Sequence, residues 1–359
     1  MKIAVYAIAK DESKHIERFM QSVADADYVL ICDTGSSDST EALATVHGAS
    51  VINILVSPWR FDVARNTALS LLPADIDLCI SLDLDEVLMP GWRSEIEKVW
   101  TPDTTRIRYR YAWSSESEFF YDKFHSRNGY SWCWMCHEYL CADSRTPEVV
   151  KVIDKCLVQH LPDQTKSRGQ YLDLLKANKA QNPFCSRSSF YLAREFWYNA
   201  RYAEAIAEIE HYESLPVYKS PAETWHIYYQ KADCLEKSGN ITQAEVYFLK
   251  AVEAYPDIRD PLMQCSKFYQ RQQRWAESLL YAQQCLTITE RIYVHNCHAD
   301  AWGAEPHDLC AVAAYYLNLP DLALEQGQRA LDLNPTDPRL QTNQDFYKKL
   351  KEKAEHGLA

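Results

Sequence analysis

No stretch of this 359-residue chain approaches the length of an apolar membrane span, so no transmembrane segment is expected. Positive charge is also short. Thirty-eight Lys and Arg stand against 50 Asp and Glu, a formal net charge of −12. Neutralising a phosphate backbone needs an excess of cations, and the deficit argues against general nucleic-acid binding. The opening segment Ala7-Ile8-Ala9-Lys10-Asp11 lacks the glycines and basic residues of a phosphate loop, which disfavours nucleotidyl transfer. The first ten residues run into Asp11 and Glu12 with no cleavage-site pattern, so no secretory signal is expected. Without a signal the 12 Cys are expected as reduced thiols, and a cytoplasmic location follows. Cys133, Cys136, His137 and Cys141 invite a zinc site, but a second ligand pair at suitable spacing is missing. The only other dense group, His295 to His298, lies in a different half. The alternation around Trp132 and Trp134 fits a strand with one aromatic face better.

The length allows two domains, and 47% hydrophobic residues allow a sizeable core. Up to about residue 160 the rhythm is strand, turn, helix. Strands are expected over 3–9, 28–32, 50–55 and 78–82, with helices over 12–24, 39–46 and 61–72. Such alternation predicts an α/β domain with a mostly parallel sheet covered by helices. Ligands of such sheets bind beyond the carboxyl ends of the strands.

From about residue 185 the rhythm is helical only. The small residues Ala205, Ala244, Ser278 and Ala323 follow one another at intervals of 39, 34 and 45 residues. A 34-residue period is the mark of tetratricopeptide (TPR) helix pairs. The long last interval predicts an inserted loop over about 290–305. Helical repeats of this kind offer a surface for a protein partner, a glycan or a second copy of the chain.

Residues 78–86 read Leu-Cys-Ile-Ser-Leu-Asp-Leu-Asp-Glu, an apolar strand ending in Asp83, Asp85 and Glu86. On an extended chain Asp83 and Asp85 point the same way, and paired carboxylates repel unless a cation lies between them. Mn²⁺ or Mg²⁺ is the expected cation, completed by water and substrate phosphates. An acidic strand-end turn is the plain alternative. A second acidic cluster, Asp33-Thr34-Gly35-Ser36-Ser37-Asp38, also follows a strand, and Asp33 suits a hydrogen bond to a ribose or base edge. A third segment, Trp59 to Asn66, offers Arg65 for phosphate and Asp62 for a donor contact, with Asn66 beside them at the opening of a helix.

In this order, Lys10-Asp11-Glu12, Asp33 to Asp38, Phe61-Asp62-Val63-Ala64-Arg65-Asn66 and Leu82 to Glu86 resemble glycosyltransferase family 2, with its GT-A fold. The motifs span residues 8 to 88. The resemblance implies that Asp83 and Asp85 bind a divalent metal and the diphosphate of a nucleotide-sugar. Asp33 would contact the uridine, and Lys10 and Arg65 would line the nucleotide pocket. It also implies an inverting transfer, and C-terminal TPR repeats occur in many relatives. The resembling enzymes carry Trp, Gly and then His-Glu where this chain has Trp132, Trp134, His137 and Glu138. Glu138 becomes the candidate general base, with His137 orienting it and Asp85 or Glu86 as rivals. His160 is a candidate further metal ligand, and Lys166 and Arg168 would clamp the diphosphate. The expected division is a GT-A domain over 1–165, a site-adjacent linker over 166–184 and TPR-like repeats over 185–359. The competing reading is a scaffold that has lost catalysis and binds a protein partner through its repeats.

Overall fold

The apolar runs near the start of the chain form the parallel part of a sheet. β1 (Ile3–Ala9), β2 (Tyr28–Asp33), β3 (Ser50–Asn53) and β4 (Leu78–Ser81) lie in the order β3-β2-β1-β4, each parallel to its neighbour. The connecting helices are α1 (Ser13–Ser22), α2 (Thr40–Val46) and α3 (Phe61–Ser70). Alternation along β1 sends Ile3, Val5 and Ala7 into a core with Phe19 of α1. Ala4 and Tyr6 go into a second core with Leu69 and Trp132. Both faces are therefore buried, which is why these strands read as continuous apolar runs.

The computed structural model describes residues 1–114, 117–145, 147–163 and 171–356. The chain divides into two units, Met1–Pro183 and Phe184–Ala359. In the first, the sheet continues beyond β4 with β5 (Glu86–Leu88), β6 (Arg106–Ala112), β7 (Glu118–Ser126) and β10 (Val150–His160), and α4 (Trp92–Val99) lies between β5 and β6 in sequence. The full order is β3-β2-β1-β4-β7-β6-β10-β5. The sheet is mixed rather than mostly parallel, because β7 runs antiparallel to both β4 and β6, and β5 antiparallel to β10. A connection as short as that from β6 to β7 permits only antiparallel pairing. β8 (Tyr130–Cys133) and β9 (Tyr139–Ala142) form a separate hairpin. The strand expected through Trp134 stops at Cys133 because Trp134 has φ +85°, outside extended backbone. Part of the expected linker is helical: α5 (Tyr171–Gln181) belongs to the first unit.

The second unit is built from antiparallel helix pairs. These are α6 (Ser186–Tyr198) with α7 (Tyr202–Ser214), α8 (Pro221–Lys237) with α9 (Ile241–Ala254), α10 (Arg259–Arg271) with α11 (Trp275–Thr287), and α12 (Glu305–Tyr316) with α13 (Pro320–Leu333). α14 (Pro338–Glu355) follows. Each pair closes through a three-residue turn whose middle residue is left-handed: Ala200 (φ 55°), Gly239 (81°), Gln273 (56°) and Asn318 (57°). The next residue donates its N–H to a carbonyl five positions back. Arg201 reaches Phe196, Asn240 reaches Leu235, Arg274 reaches Tyr269 and Leu319 reaches Ala314, at 2.8–2.9 Å. This Schellman pattern satisfies carbonyls that the helix end leaves open. Ala205, Ala244, Ser278 and Ala323 are all fully buried at the same place in the second helix of each pair. Where Ser278 sits, the neighbouring helix comes close enough for Ser266 Oγ to donate to its carbonyl at 2.8 Å. The inserted segment before α12 is packed: Cys297 is buried beside Trp225 and Ile258, and the His298 N–H donates to Asp260 Oδ1 at 2.7 Å. Among the described residues no helix is long and apolar enough to cross a membrane.

The turn geometry sets a measurable difference. A Cβ at Gly239 would meet no atom within 4 Å, so Gly239→Ala incurs only the left-handed backbone penalty, about 1 kcal/mol. Gln273→Gly should gain up to about the same amount. Urea unfolding of the full chain should show the two shifts with opposite signs.

Candidate active site

The parallel register brings the sequence motifs to one edge. Ala9 lies opposite Asp33, and Tyr6 opposite Ser81, so the loops after β1, β2 and β4 start side by side. The first two loops are laced together. Ser37 N–H donates to Asp11 Oδ1 at 2.7 Å, Glu12 N–H to Thr40 Oγ1 at 2.7 Å, and Ser13 N–H to Asp38 Oδ2 at 3.1 Å. Asp33 is buried at 2% exposure, and its Oδ1 accepts the N–H groups of Gly35 and Ser36 at 2.8 Å each. That carboxylate therefore shapes its own loop, with Gly35 at φ +99° making the turn. Lys10 is exposed just beyond β1.

The acids after β4 do not continue a strand. β4 ends at Ser81, and Glu86 N–H donates to the Asp83 carbonyl at 2.9 Å, closing a turn with Leu84 buried inside it. Asp83 and Asp85 remain part-exposed on either side of Leu84, but each has its own partner. Arg65, 4% exposed on α3, donates from Nη2 to Asp83 Oδ1 at 2.5 Å and from Nε to Glu138 Oε1 at 2.6 Å. Its guanidinium also lies 5.0 Å from the centre of the Trp132 ring. Burial alone would raise the Asp83 pKa, yet Arg65 and Lys123 outweigh it and hold the carboxyl below its usual range. Asp85 Oδ2 lies 3.3 Å from His160 Nε2, and the His160 Nδ1 faces the Trp113 carbonyl at 3.2 Å.

Glu86 turns inward. At 2% exposure, its Oε1 accepts from the Tyr111 hydroxyl at 2.7 Å and from Lys123 Nζ at 2.9 Å, while Oε2 accepts from the Asp83 N–H at 2.9 Å. Burial pushes its pKa up, Asp83 adds to that, and Lys123 opposes it. A carboxylate engaged on both oxygens and closed to solvent is poorly placed to reach an acceptor, so the suggestion that Glu86 rivals Glu138 as base gives way to a structural part. Sequence reading passed over Lys123. Its signal is a lone lysine inside an aromatic strand, Phe119 to His125, where a buried cation needs a buried acid.

The β8–β9 hairpin carries Glu138 and is fixed from several sides. Asn66 Nδ2 donates to the Trp132 carbonyl and the Trp132 N–H donates to Asn66 Oδ1, both at 2.8 Å. The Asn66 amide thus anchors the hairpin and does not open onto a nucleotide pocket. Asp62, 6% exposed, takes a two-pronged ion pair from Arg60 at 2.7 and 3.0 Å. Its carboxylate is not brought to the Asp83–Glu138 group. Beneath the hairpin, Trp132 Nε1 donates to the Tyr6 hydroxyl at 2.7 Å, and that hydroxyl lies 3.0 Å from His125 Nε2. His125 Nδ1 donates to the Ser126 carbonyl at 2.8 Å, so in the neutral ring Nε2 is the acceptor and the Tyr6 hydroxyl donates to it. Burial lowers the His125 pKa from 6.5 to about 3. Trp134 stands where the resembling enzymes have Gly, and it keeps a left-handed φ of +85°; His137 follows at +53°. Lys166 and Arg168 lie outside the described residues.

The carboxylates of Asp83 and Asp85 are hard oxygen donors of the kind Mn²⁺ and Mg²⁺ take, whereas the imidazole of His160 is a softer one. Among the described residues no group of three His, Cys, Asp or Glu side chains is gathered as a ready cage. A cation here would complete its shell with water and phosphate oxygens.

No family model matches the chain. It is 33% identical over 100 residues to an uncharacterized glycosyltransferase of Rickettsia bellii, covering 28% of this chain and 33% of that one. Another, from Rickettsia prowazekii, is 34% identical over 101 residues, with 28% and 33% covered. A TPR repeat-containing protein of Synechococcus elongatus is 31% identical over 103 residues, covering 27% of this chain and 25% of that one. The matched stretches span between 25% and 33% of these relatives' lengths. Among solved structures, YrrB, a TPR protein with an unusual peptide-binding site, aligns at TM-score 0.37 and 18% identity over 48% of this chain and 80% of its own. Pseudomonas aeruginosa PilF aligns at TM-score 0.39 and 14% identity, over 48% and 72%.

Two measurements check this arrangement. Lys123→Met leaves Glu86 buried without its cation and should cost roughly 3–5 kcal/mol; adding Glu86→Gln should recover most of it in urea unfolding. His125 binds no proton in the folded state until about pH 3, whereas an unfolded histidine charges near 6.5. Its contribution is therefore complete above that higher value and is lost as pH falls between the two. His125→Gln should make the acid limb of the stability profile shallower, by up to about 1.4 kcal/mol per pH unit.

Proposed function

We propose that the first unit is a metal-dependent, inverting glycosyltransferase of GT-A type. It moves a sugar from a nucleotide diphosphate donor, most simply a UDP-sugar, to a hydroxyl of a glycan or protein acceptor. One observation carries this reading: two part-exposed carboxylates, Asp83 and Asp85, sit just past the carboxyl end of a parallel strand. The partial identity with Rickettsia proteins named as glycosyltransferases supports it.

In this reading Asp83, Asp85 and His160 hold the cation. When bound, it supplies Lewis-acid stabilisation to the departing diphosphate. Arg65 fixes Asp83 and Glu138 in one frame, so the distance between the diphosphate end and the base does not drift. Glu138 spends Oε1 on Arg65, and Oε2 takes the proton of the attacking hydroxyl. His137, in its left-handed conformation, sets the turn that presents Glu138. Lys10, exposed beside the same edge, attracts the donor phosphates, and Lys166 and Arg168 clamp them. Asp33 orders the loop under the base rather than reaching far from it.

A second reading is a catalytically silent protein whose helical repeats bind a protein partner or a second copy. The Synechococcus relative, named as TPR repeat-containing, is compatible with it. Donor binding separates the two. Calorimetry with Mn²⁺ and UDP-sugars should show metal-dependent binding, and Asp85→Ala should weaken it by roughly 100-fold or more while the helical circular dichroism is retained. Equal donor binding by wild type and Asp85→Ala, or none by wild type, favours the scaffold.

A further inference from the structure

Trp113 follows β6 and is 43% exposed, whereas Trp92 and Trp132 in the same unit are almost fully buried. Its ring lies against the His160 imidazole, centroid to centroid 4.3 Å, with 29° between the planes. His160 is itself held at both nitrogens, by the Trp113 carbonyl at 3.2 Å and by Asp85 Oδ2 at 3.3 Å. It is also the last residue of β10, in register with Glu86. The indole is therefore fixed relative to the Asp85 carboxylate through one imidazole. The Tyr111 ring lies 6.3 Å away and tilted, and the indole still keeps 43% of its surface open. A flat apolar surface of this size gains nothing from water, and nothing about strand pairing requires it here.

Building on the glycosyltransferase reading, we propose that Trp113 is a platform for a pyranose ring of the substrate. The axial C–H face of a hexose carries slightly positive hydrogens, and the face of an indole is slightly negative. The neighbouring carboxylate of Asp85 accepts from the sugar's hydroxyls at the rim. A donor sugar bonded to a diphosphate at Asp83 and Asp85, or an acceptor sugar whose hydroxyl attacks that donor's anomeric carbon as the diphosphate leaves, is placed beside the same edge. The ring comes from the donor or from the acceptor, and both present the same chemistry to the indole.

The test compares wild type, Trp113→Ala and Trp113→Phe by calorimetry with Mn²⁺. The probes are UDP, a set of UDP-hexoses, and methyl hexosides titrated with and without UDP. The quantity compared is the ratio of UDP-hexose to UDP affinity within each protein, because the Trp113 ring packs on His160 and its loss can shift UDP binding itself. In Trp113→Ala the sugar-dependent part should fall by about fivefold to tenfold, and Trp113→Phe should recover most of it. A loss confined to UDP-hexose over UDP assigns the platform to the donor sugar, and a loss confined to methyl hexosides assigns it to the acceptor. Unchanged sugar binding in Trp113→Ala, a phenylalanine variant as weak as alanine, or wild type that binds UDP but no hexose overturns the platform alone. Wild type that binds methyl hexosides through Trp113 but no UDP overturns the metal-diphosphate reading and keeps the platform. Binding of no probe at all overturns both.

Discussion

A guanidinium buried between two carboxylates holds the candidate site together. Arg65 comes from α3, Asp83 from the turn after β4, and Glu138 from the foot of β9. Taking these charges out of water is costly, and only close pairing offsets that cost. Remove the cation and Glu138 loses its ion pair while Asp83 is left to the more distant Lys123. Lys123 pairs with Glu86 and reaches toward Asp83 at 3.6 Å. Two buried cations thus stand against Asp83, Glu86 and Glu138. Asp85 and His160 lie beside them at the open edge.

The hairpin that carries Glu138 is positioned by hydrogen bonds, not by continuity with the main sheet. Asn66 bonds both backbone groups of Trp132, and the chain from Trp132 through Tyr6 to His125 joins β8, β1 and β7. Each link has a defined donor direction, because the indole N–H can only donate and the Ser126 carbonyl holds the His125 proton on Nδ1. The left-handed residues at Trp134 and His137 then turn the chain sharply enough to return it as β9. A bulky indole at a left-handed position carries local strain. Its ring, 6.3 Å from that of Tyr139 and near-parallel to it, gives back part of that energy as packing.

The helical unit solves one problem four times with different residues. Each pair must reverse in three residues and leave no buried carbonyl open. Ala200, Gly239, Gln273 and Asn318 share the same left-handed conformation although only one is glycine. The backbone hydrogen bond across each turn offsets the penalty at the other three. The wide interval before the last pair is filled by a segment that packs on Trp225 and Ile258.

Sequence alone determined the local and periodic features. Apolar runs made the parallel strands, strand ends brought the acidic motifs to one edge, and the spacing of Ala205, Ala244, Ser278 and Ala323 set the helix pairs. These follow from side-chain period and from the direction of parallel strands, both encoded within short windows. Tertiary structure alone decided which carboxylates stay open and which are paired. Glu86 is closed off by Tyr111 and Lys123, Asp33 is folded into its own loop, and Asn66 is committed to Trp132. Trp113 meets Asp85 only through His160. Apart from those of Asp33, which are local, those partners lie 25 to 75 residues apart, beyond any periodic signal. Charge pairing in a buried interior depends on distance in space, and only the folded chain sets that distance.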